Sequence, residues 1–349
     1  MNLADALIAR IEATGPMTVA DYMTEALLHP ALGYYTTRDP FGAAGDFTTA
    51  PEISQMFGEM LGLCFAQAWL DQGGGPVALA ELGPGRGTLM ADILRATRSV
   101  PGFAAAVSIH LVEASPTLRA VQADTLIDYS PTWHDSVDDL PEGPILLVAN
   151  EFLDALPIRQ FVRAAAGWRE RLVTVRDNAL AFALGPVVPV PELDRHDVPE
   201  GTLVERCPAL PYVVSAVAER VARGGAAILV DYGHWRSRGD TLQALRDHAP
   251  VPPLDAPGTA DLTTHVDFEA VARAAPPARA SAVTPQGVLL ERLGITARAQ
   301  ALARKLEGAG LDAHVAAHRR LTHPAEMGDL FKAIALVPAG AALPPGFDE

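Results

Sequence analysis

Cysteine is almost missing from this chain: Cys64 and Cys207 are the two among 349 residues. Two thiols in apolar or proline-flanked surroundings make neither a disulfide framework nor a thiolate metal set, so a reducing, cytoplasmic setting is expected. Basic residues are scarce as well, with 27 Lys and Arg against 42 Asp and Glu and a formal net charge of −15. Without a clustered basic face a nucleic acid is excluded as the main partner, whereas a basic protein or peptide is compatible. No run reaches the roughly 18 consecutive apolar residues of a membrane span. The start, Met1-Asn2-Leu3-Ala4-Asp5, lacks the basic stretch and apolar core of a secretion signal. A mature mitochondrial chain would also lack its leader, so the start alone leaves the compartment open. His314 and His318 stand one helical turn apart with His323 nearby, but no glutamate or cysteine completes a metal set. No catalytic metal is expected, and these histidines are read as solvated.

What is present is apolar: 49% of residues are hydrophobic and 20% charged, enough core for one large or two medium domains. The chain is organised around Val77 to Leu89, V-A-L-A-E-L-G-P-G-R-G-T-L. Val77 to Leu82 reads as a buried parallel strand, Gly83, Gly85 and Gly87 as a turn, and Thr88 to Thr97 as a helix. Glycines suit a ligand lying across the strand end, where any Cβ would push it away. A dinucleotide fingerprint does not fit, because its sixth position is Thr88 and no acid stands about 20 residues on. A phosphate loop does not fit either, since no Gly-Lys-Ser/Thr follows. What fits is E-x-G-x-G-x-G, with Glu81 two residues before the first glycine and a second acid, Glu113, ending the next strand-like run Val107 to Val112. A glycine-rich turn with no ligand is the alternative at this point.

Helical periodicity covers residues 3–13 and 18–28, with Thr18 as a cap and Asp21 in the first turn. Between Pro30 and Pro51 the pattern breaks into Tyr34, Tyr35, Phe41 and Phe47 among turn formers, read as a lid, or else as aromatics stapling the N-terminus to the core. An amphipathic helix is expected from Ser54 to Leu70. After Glu113 a helix 116–127, a short strand around Trp133 and a buried strand Pro144 to Asn150 continue a doubly wound pattern. Trp133 is equally core or stacking partner. Segments 159–163, 168–175 and 180–184 alternate in polarity and predict an antiparallel insertion. A helix 212–222 and strand 226–230, ending in Asp231-Tyr232-Gly233, resume the sheet. Residues 235–257 read as irregular, Asp261 to Phe268 as opening a helix, 279–283 as a strand, 286–307 as helices and 331–337 as a closing strand. The expected organisation is a helical and lid region over 1–75, a core over 76–157 and 211–337 with an irregular or helical insert at about 235–275, an antiparallel substrate region over 158–210 and a loose tail 338–349.

Several stretches together resemble one family. They are Gly15-Pro16-Met17-Thr18-Val19, His29-Pro30 with Gly33-Tyr34-Tyr35, Gly45-Asp46-Phe47 with Pro51-Glu52-Ile53-Ser54, and Phe57-Gly58-Glu59. The set continues in Glu81 to Leu89, Asn150-Glu151-Phe152 with Asp154-Ala155-Leu156-Pro157, Asp231-Tyr232-Gly233, His265-Val266-Asp267-Phe268, and Met327-Gly328 with Leu330-Phe331-Lys332. The chain resembles the MidA-like S-adenosyl-L-methionine-dependent methyltransferases, which include a mitochondrial complex I assembly arginine methyltransferase. The resemblance implies a class I, Rossmann-like α/β fold with a seven-stranded sheet, and S-adenosyl-L-methionine as cofactor. It implies a protein-arginine acceptor on a complex I subunit, and leaves a homodimer open. Departures are Arg238-Gly239-Asp240-Thr241-Leu242 and Thr284-Pro285-Gln286-Gly287, which differ from the family pattern near substrate-side segments.

Cofactor contacts are expected from Glu81, Gly83, Pro84, Gly85, Gly87, Thr88, Glu113 and Asn150, with Asp135 and Ser136 near the adenine. A guanidinium acceptor stays protonated, with a pKa of roughly 12.5–13.8, and needs carboxylates that clamp it bidentately. Glu151 and Asp154 are the candidates, Asp46 and Glu52 the second choice, and Asp154 reads equally as a helix N-cap. Two other functions stay open: an assembly chaperone that binds the cofactor without turnover, and a small-molecule or peptide O- or N-methyltransferase.

Overall fold

The computed structural model describes residues 2–37, 48–193 and 197–349. Asp46, Phe41 and Phe47 of the expected lid therefore lie outside the described residues. The chain divides into two compact units, Met1–Phe47 with Asp154–Leu210 and Arg236–His265, and Thr48–Leu153 with Pro211–Trp235 and Val266–Glu349.

The second unit is built on a nine-stranded sheet. Its main strands are β1 (Val77–Leu82), β2 (Val107–Val112), β3 (Thr132–His134), β4 (Ile145–Asn150), β5 (Gly225–His234) and β6 (Phe331–Val337). Their order is β6-β5-β4-β1-β2-β3, with Arg279–Ala280 beyond β6. β1 to β5 run parallel, while β6 is antiparallel to β5. These strands and Arg279–Ala280 make the seven-membered path expected of the class I fold, with Val266–Asp267 and Thr284–Pro285 as short additions. Every residue of β1 and β4 is buried, as continuous apolar runs predict for parallel strands covered on both faces. The order reverses between β1 and β4, and ligands in such sheets bind outside the carboxyl ends of strands at that point.

Three helices bear on this position: α1 (Gln55–Asp71), α2 (Thr88–Thr97) and α3 (Pro116–Thr125). The expected amphipathic helix over 54–70 is α1, which is buried around most of its circumference. Glycines let it touch α2: a Cβ on Gly58 would stand 2.6 Å from the Asp92 Cβ, and one on Gly62 3.0 Å from the Ile93 Cα. Buried Glu59 on α1 is tied by Arg95 at 2.7 Å and by Arg298 at 2.7 and 2.8 Å.

Several expectations fail here. Residues 261–268 open a helix only at their end: Asp261–Thr263 and Val266–Asp267 are short strands, and Asp267 caps a helix that begins at Phe268, its Oδ1 accepting from the Ala270 N–H at 3.0 Å. The 279–283 strand is cut to Arg279–Ala280, and the helices near 286–307 are followed by another, Gly308–Thr322. That helix carries His314 and His318, which are half-buried rather than solvated; His318 Nε2 lies 2.9 Å from the Thr296 hydroxyl. The tail after Pro338 is pinned rather than loose, because Phe347 enters the core and the Ala282 N–H donates to the Asp348 carbonyl.

In the other unit, helices Leu3–Thr14 and Val19–Leu28 each begin in a capping box, Asn2 with Asp5 and Thr18 with Asp21. Between them Met17–Thr18 pairs with Gly167–Arg176, the centre of an antiparallel sheet with Arg159–Ala164, Ala179–Val188 and Leu203–Arg206. This is the expected insertion, with the N-terminus added at its edge. Leu7, Ile11, Tyr22, Met23 and Val173 close its core. The stretch read as irregular folds into a second sheet, Gln243–Arg246, Ala249–Val251 and Asp261–Thr263. Asp247 and His248 turn its hairpin at φ 51° and 58°, a two-residue turn without the glycine that would have marked it.

Candidate functional site

The sequence after β1 has to turn sharply to feed α2, and Gly83, Gly85 and Gly87 do so at φ 61°, 53° and 81°. A Cβ on Gly83 would meet the Phe152 ring at 2.8 Å. The Gly87 N–H closes the turn on the Pro84 carbonyl at 2.7 Å. No side chain caps α2, so its first N–H groups face the loop as partial positive charge. Glu52 stands at this terminus, accepting from the Thr88 hydroxyl at 2.5 Å with Arg86 at 3.8 Å. The acid proposed second for substrate thus bonds to a residue of the glycine loop.

Glu113 follows β2 and is buried. Its carboxylate accepts from the Ser115 N–H at 2.8 Å and the Gln122 amide at 3.1 Å. Burial pushes its carboxyl above the usual range, and these two bonds oppose the rise. Gln122, fully buried on α3, also donates to the Gly85 carbonyl at 2.8 Å and accepts from the Trp133 indole at 2.8 Å. One amide therefore fixes the loop, the acid and the tryptophan together. Sequence reading passed over it, although Leu118, Gln122 and Leu126 share one inward helical face, where a glutamine signals a buried partner.

Asp135 and Ser136 follow β3. The Asp135 side chain is exposed and pairs with Arg119 at 2.5 Å, while the Ser136 hydroxyl accepts from the Asp138 N–H at 3.3 Å to start the turn Val137–Asp139.

Glu81 sits one residue before the end of β1, 3% exposed. Its Oε2 has no hydrogen-bond partner among the described residues. Burial, then Glu113, push its carboxyl up to about 8, against a Met90 N–H that pulls it down. Asn150, at the end of β4, also keeps a buried oxygen, Oδ1, without a partner among the described residues. Buried acceptors of this kind cost about 1–3 kcal/mol each when unsatisfied.

Glu151 follows with φ 51°, a left-handed conformation costing a non-glycine residue on the order of 1–3 kcal/mol. Its N–H donates to the Val230 carbonyl at 2.9 Å, and its Oε1 accepts from the Ala50 N–H and the Asn150 amide, both at 3.0 Å. Asp231 on β5, 1% exposed, holds the turn by accepting from the Leu153 N–H at 2.9 Å. The stretch 48–54 and the end of β4 do meet, through Ala50 and Glu151. Sequence reading noted Asp231 as part of a motif without giving it this task.

Asp154 belongs to the other unit and is 4% exposed. No helix follows it, only a turn leading to Arg159–Ala164, so the N-cap reading falls. Its carbonyl accepts from the Thr264 N–H at 3.0 Å. Nearby, the Tyr35 hydroxyl donates to Asp261 at 2.7 Å, and burial, then Asp261 and Asp154, push its phenol upward. Among the described residues no three His, Cys, Asp or Glu side chains gather as a metal set.

Residues 60–286 match the model of a family of S-adenosyl-L-methionine-dependent methyltransferases. Relatives named protein arginine methyltransferase NDUFAF7, mitochondrial, include one from Mus musculus, 39% identical over 95% of this chain and 83% of its own. The one from Homo sapiens is 37% identical over 95% and 82%. A Burkholderia thailandensis crystal structure with S-adenosyl-homocysteine bound superposes with a TM-score of 0.85 at 32% identity, covering 98% of this chain and 93% of that one.

Proposed function

Because the chain belongs to this family of S-adenosyl-L-methionine-dependent methyltransferases, we propose that the methyl group it transfers goes to an arginine side chain of a protein. The cofactor is S-adenosyl-L-methionine, and the residues present suit it. Three glycines bare their backbone, Glu81 and Asn150 keep buried acceptors without partners among the described residues, and Glu113 adds a carboxylate beside them. When bound, the cofactor supplies a methyl group on a sulfonium, ready for in-line displacement. We assign the loop from Gly83 and Pro84 through Gly85 and Gly87 to Thr88, with Glu81 and Asn150, to its methionine end, Glu113 to the ribose hydroxyls, and Asp135 and Ser136 to the adenine.

The observation that carries the arginine reading is Glu151. A carboxylate is held by two donors on a strained residue at the carboxyl end of β4, next to the glycine loop in the sheet. A guanidinium is a weak nucleophile because it stays charged, and a fixed carboxylate orients it and draws its charge away from the reacting nitrogen. The net charge of −15 favours approach of a cationic acceptor. The relatives' names support the same acceptor. Asp154, in its own unit, and Asp46 remain candidate acids for substrate. The acceptor we expect is a complex I subunit, which would make this an assembly step, in the cytoplasm of a bacterium or the matrix of a mitochondrion. A homodimer is compatible with this.

Incubation with methyl-labelled cofactor and lysate from cells lacking the protein tests the reading. Label in one protein band, released as methylarginine on hydrolysis, is expected. Label in small molecules would move the activity to that substrate class, and cofactor binding without any label would favour the chaperone. Glu151→Gln should keep cofactor affinity within about twofold and lose roughly 100-fold in transfer. Loss of cofactor binding in a calorimeter would instead make Glu151 a cofactor residue.

A further inference from the structure

We propose that Glu81 couples cofactor binding to proton release: it is a neutral acid in the free protein and becomes a carboxylate when the cationic end of the cofactor arrives. The proposal rests on the cofactor assignment above and adds a protonation step to it.

The geometry leaves Glu81 little choice. It is 3% exposed at the carboxyl end of β1, so water does not solvate a charge there. From α2 it meets the Met90 N–H, which can serve only one of its oxygens. From β2 it meets Glu113, a second acid whose oxygens already accept from Ser115 and Gln122. On the other side β4, paired with β1, ends in Asn150, whose amide oxygen also has no partner among the described residues. The surroundings thus offer Glu81 a second acid and one N–H, and its Oε2 is left without a donor among the described residues. Two carboxyl groups in one dry site do not both ionise, and the less hydrogen-bonded one keeps the proton. That one is Glu81, pushed up to about 8.

S-adenosyl-L-methionine carries an α-ammonium and a sulfonium, either of which supplies the missing positive charge. Glu81 then gives its proton to the buffer and keeps the electron pair, so binding trades one buried neutral acid for a buried ion pair. After transfer the sulfonium is gone, and S-adenosyl-homocysteine, with one positive charge fewer, holds the ionised form less strongly. The same group therefore helps to load the charged cofactor and release the spent one.

Calorimetric titration at about pH 7 in two buffers of different ionisation enthalpy reads the proton directly. The expected result is about one proton released per S-adenosyl-L-methionine, fewer with S-adenosyl-homocysteine, and almost none by about pH 9, where Glu81 is already ionised. Glu81→Gln copies the protonated acid, should fold, and should bind without the release; it also subtracts the ligand's own titration. Equal heats in both buffers with normal binding would overturn the coupling and leave the cofactor assignment standing. No binding at any pH would overturn both, and proton release persisting in Glu81→Gln would overturn the choice of residue.

A melting series gives a second check. The folded chain keeps a proton that the unfolded chain surrenders near 4.5, so wild-type stability should fall as pH rises from about 5 to about 9. Glu81→Gln should lose less over that range, and parallel curves would count against a neutral Glu81.

Discussion

Glu81 and Glu205 belong to different units, and burial pushes both carboxyl groups upward. Glu205, on the strand Leu203–Arg206, is surrounded by donors: Gln160 at 2.7 Å, the Thr241 N–H at 3.0 Å and the Thr241 hydroxyl. Gln160 also reaches Asp240, which Arg171 holds at 2.5 Å. Glu81 has a Met90 N–H for one oxygen and no partner among the described residues for the other. An acid whose donors come from its own fold serves the fold. On our assignment, one denied a donor at a sheet's ligand-binding edge is kept for a guest, which would recover its cost of about 1–3 kcal/mol on binding.

The contrast breaks most visibly at the glycine loop. Gly85→Val places a branched side chain at φ 53°, where β-branched residues are strained, and blocks close approach to the backbone. Cofactor affinity should fall by at least about 100-fold in calorimetry, and unchanged affinity would remove the site from this loop. Glu205→Ala tests the other side. It leaves the Thr241 N–H and hydroxyl without their acceptor and takes one of two from the Gln160 amide, so the unfolding free energy from denaturant titration should drop by an amount on the order of 2 kcal/mol. Cofactor affinity should stay within about twofold. A large loss of affinity there would show that the two acids are not separable as ligand and architecture.

How much of this was legible in the sequence follows from what a local pattern can carry. Strands buried on both faces are continuous apolar runs, so β1 and β4 could be read, β2 showed as an alternation of Ile109 and Leu111 with Ser108 and His110, and glycine spacing with Glu81 and Glu113 marked the loop after β1. Asp177-Asn178 announced one two-residue hairpin, whereas Asp247-His248 makes the same kind of turn, both residues at positive φ, with a histidine where Asn or Gly is usual. The helix Gly308–Thr322 opens on Gly308-Ala309-Gly310, which reads as a break, and packing against its neighbours overrides that weak start. The tail has loop composition, and its order comes from Phe347 finding a core contributed by distant segments. Within the site, single acids at strand ends were legible. Asp231 and Gln122 were not given roles, because what each does depends on backbone groups brought in from other strands.

Gln122 is where the comparison between the two acids can be sharpened furthest, because it shares features with both. It is fully buried and its amide is spent on its own fold, as around Glu205, yet two of its partners are the glycine loop and Glu113. Gln122→Leu keeps the volume and removes three bonds, leaving the Gly85 carbonyl and the Trp133 indole without partners from this side chain. If the amide only supports α3, stability should fall and cofactor affinity should not. If it holds the loop for the cofactor, affinity should fall about tenfold, or about 1.4 kcal/mol, with a smaller change in stability and altered Trp133 fluorescence on binding. We expect the second result, since the Gly85 carbonyl it fixes belongs to the loop that we assign to the cofactor. A pure stability loss would place Gln122 with Glu205 and confine the cofactor's requirements to the strand ends.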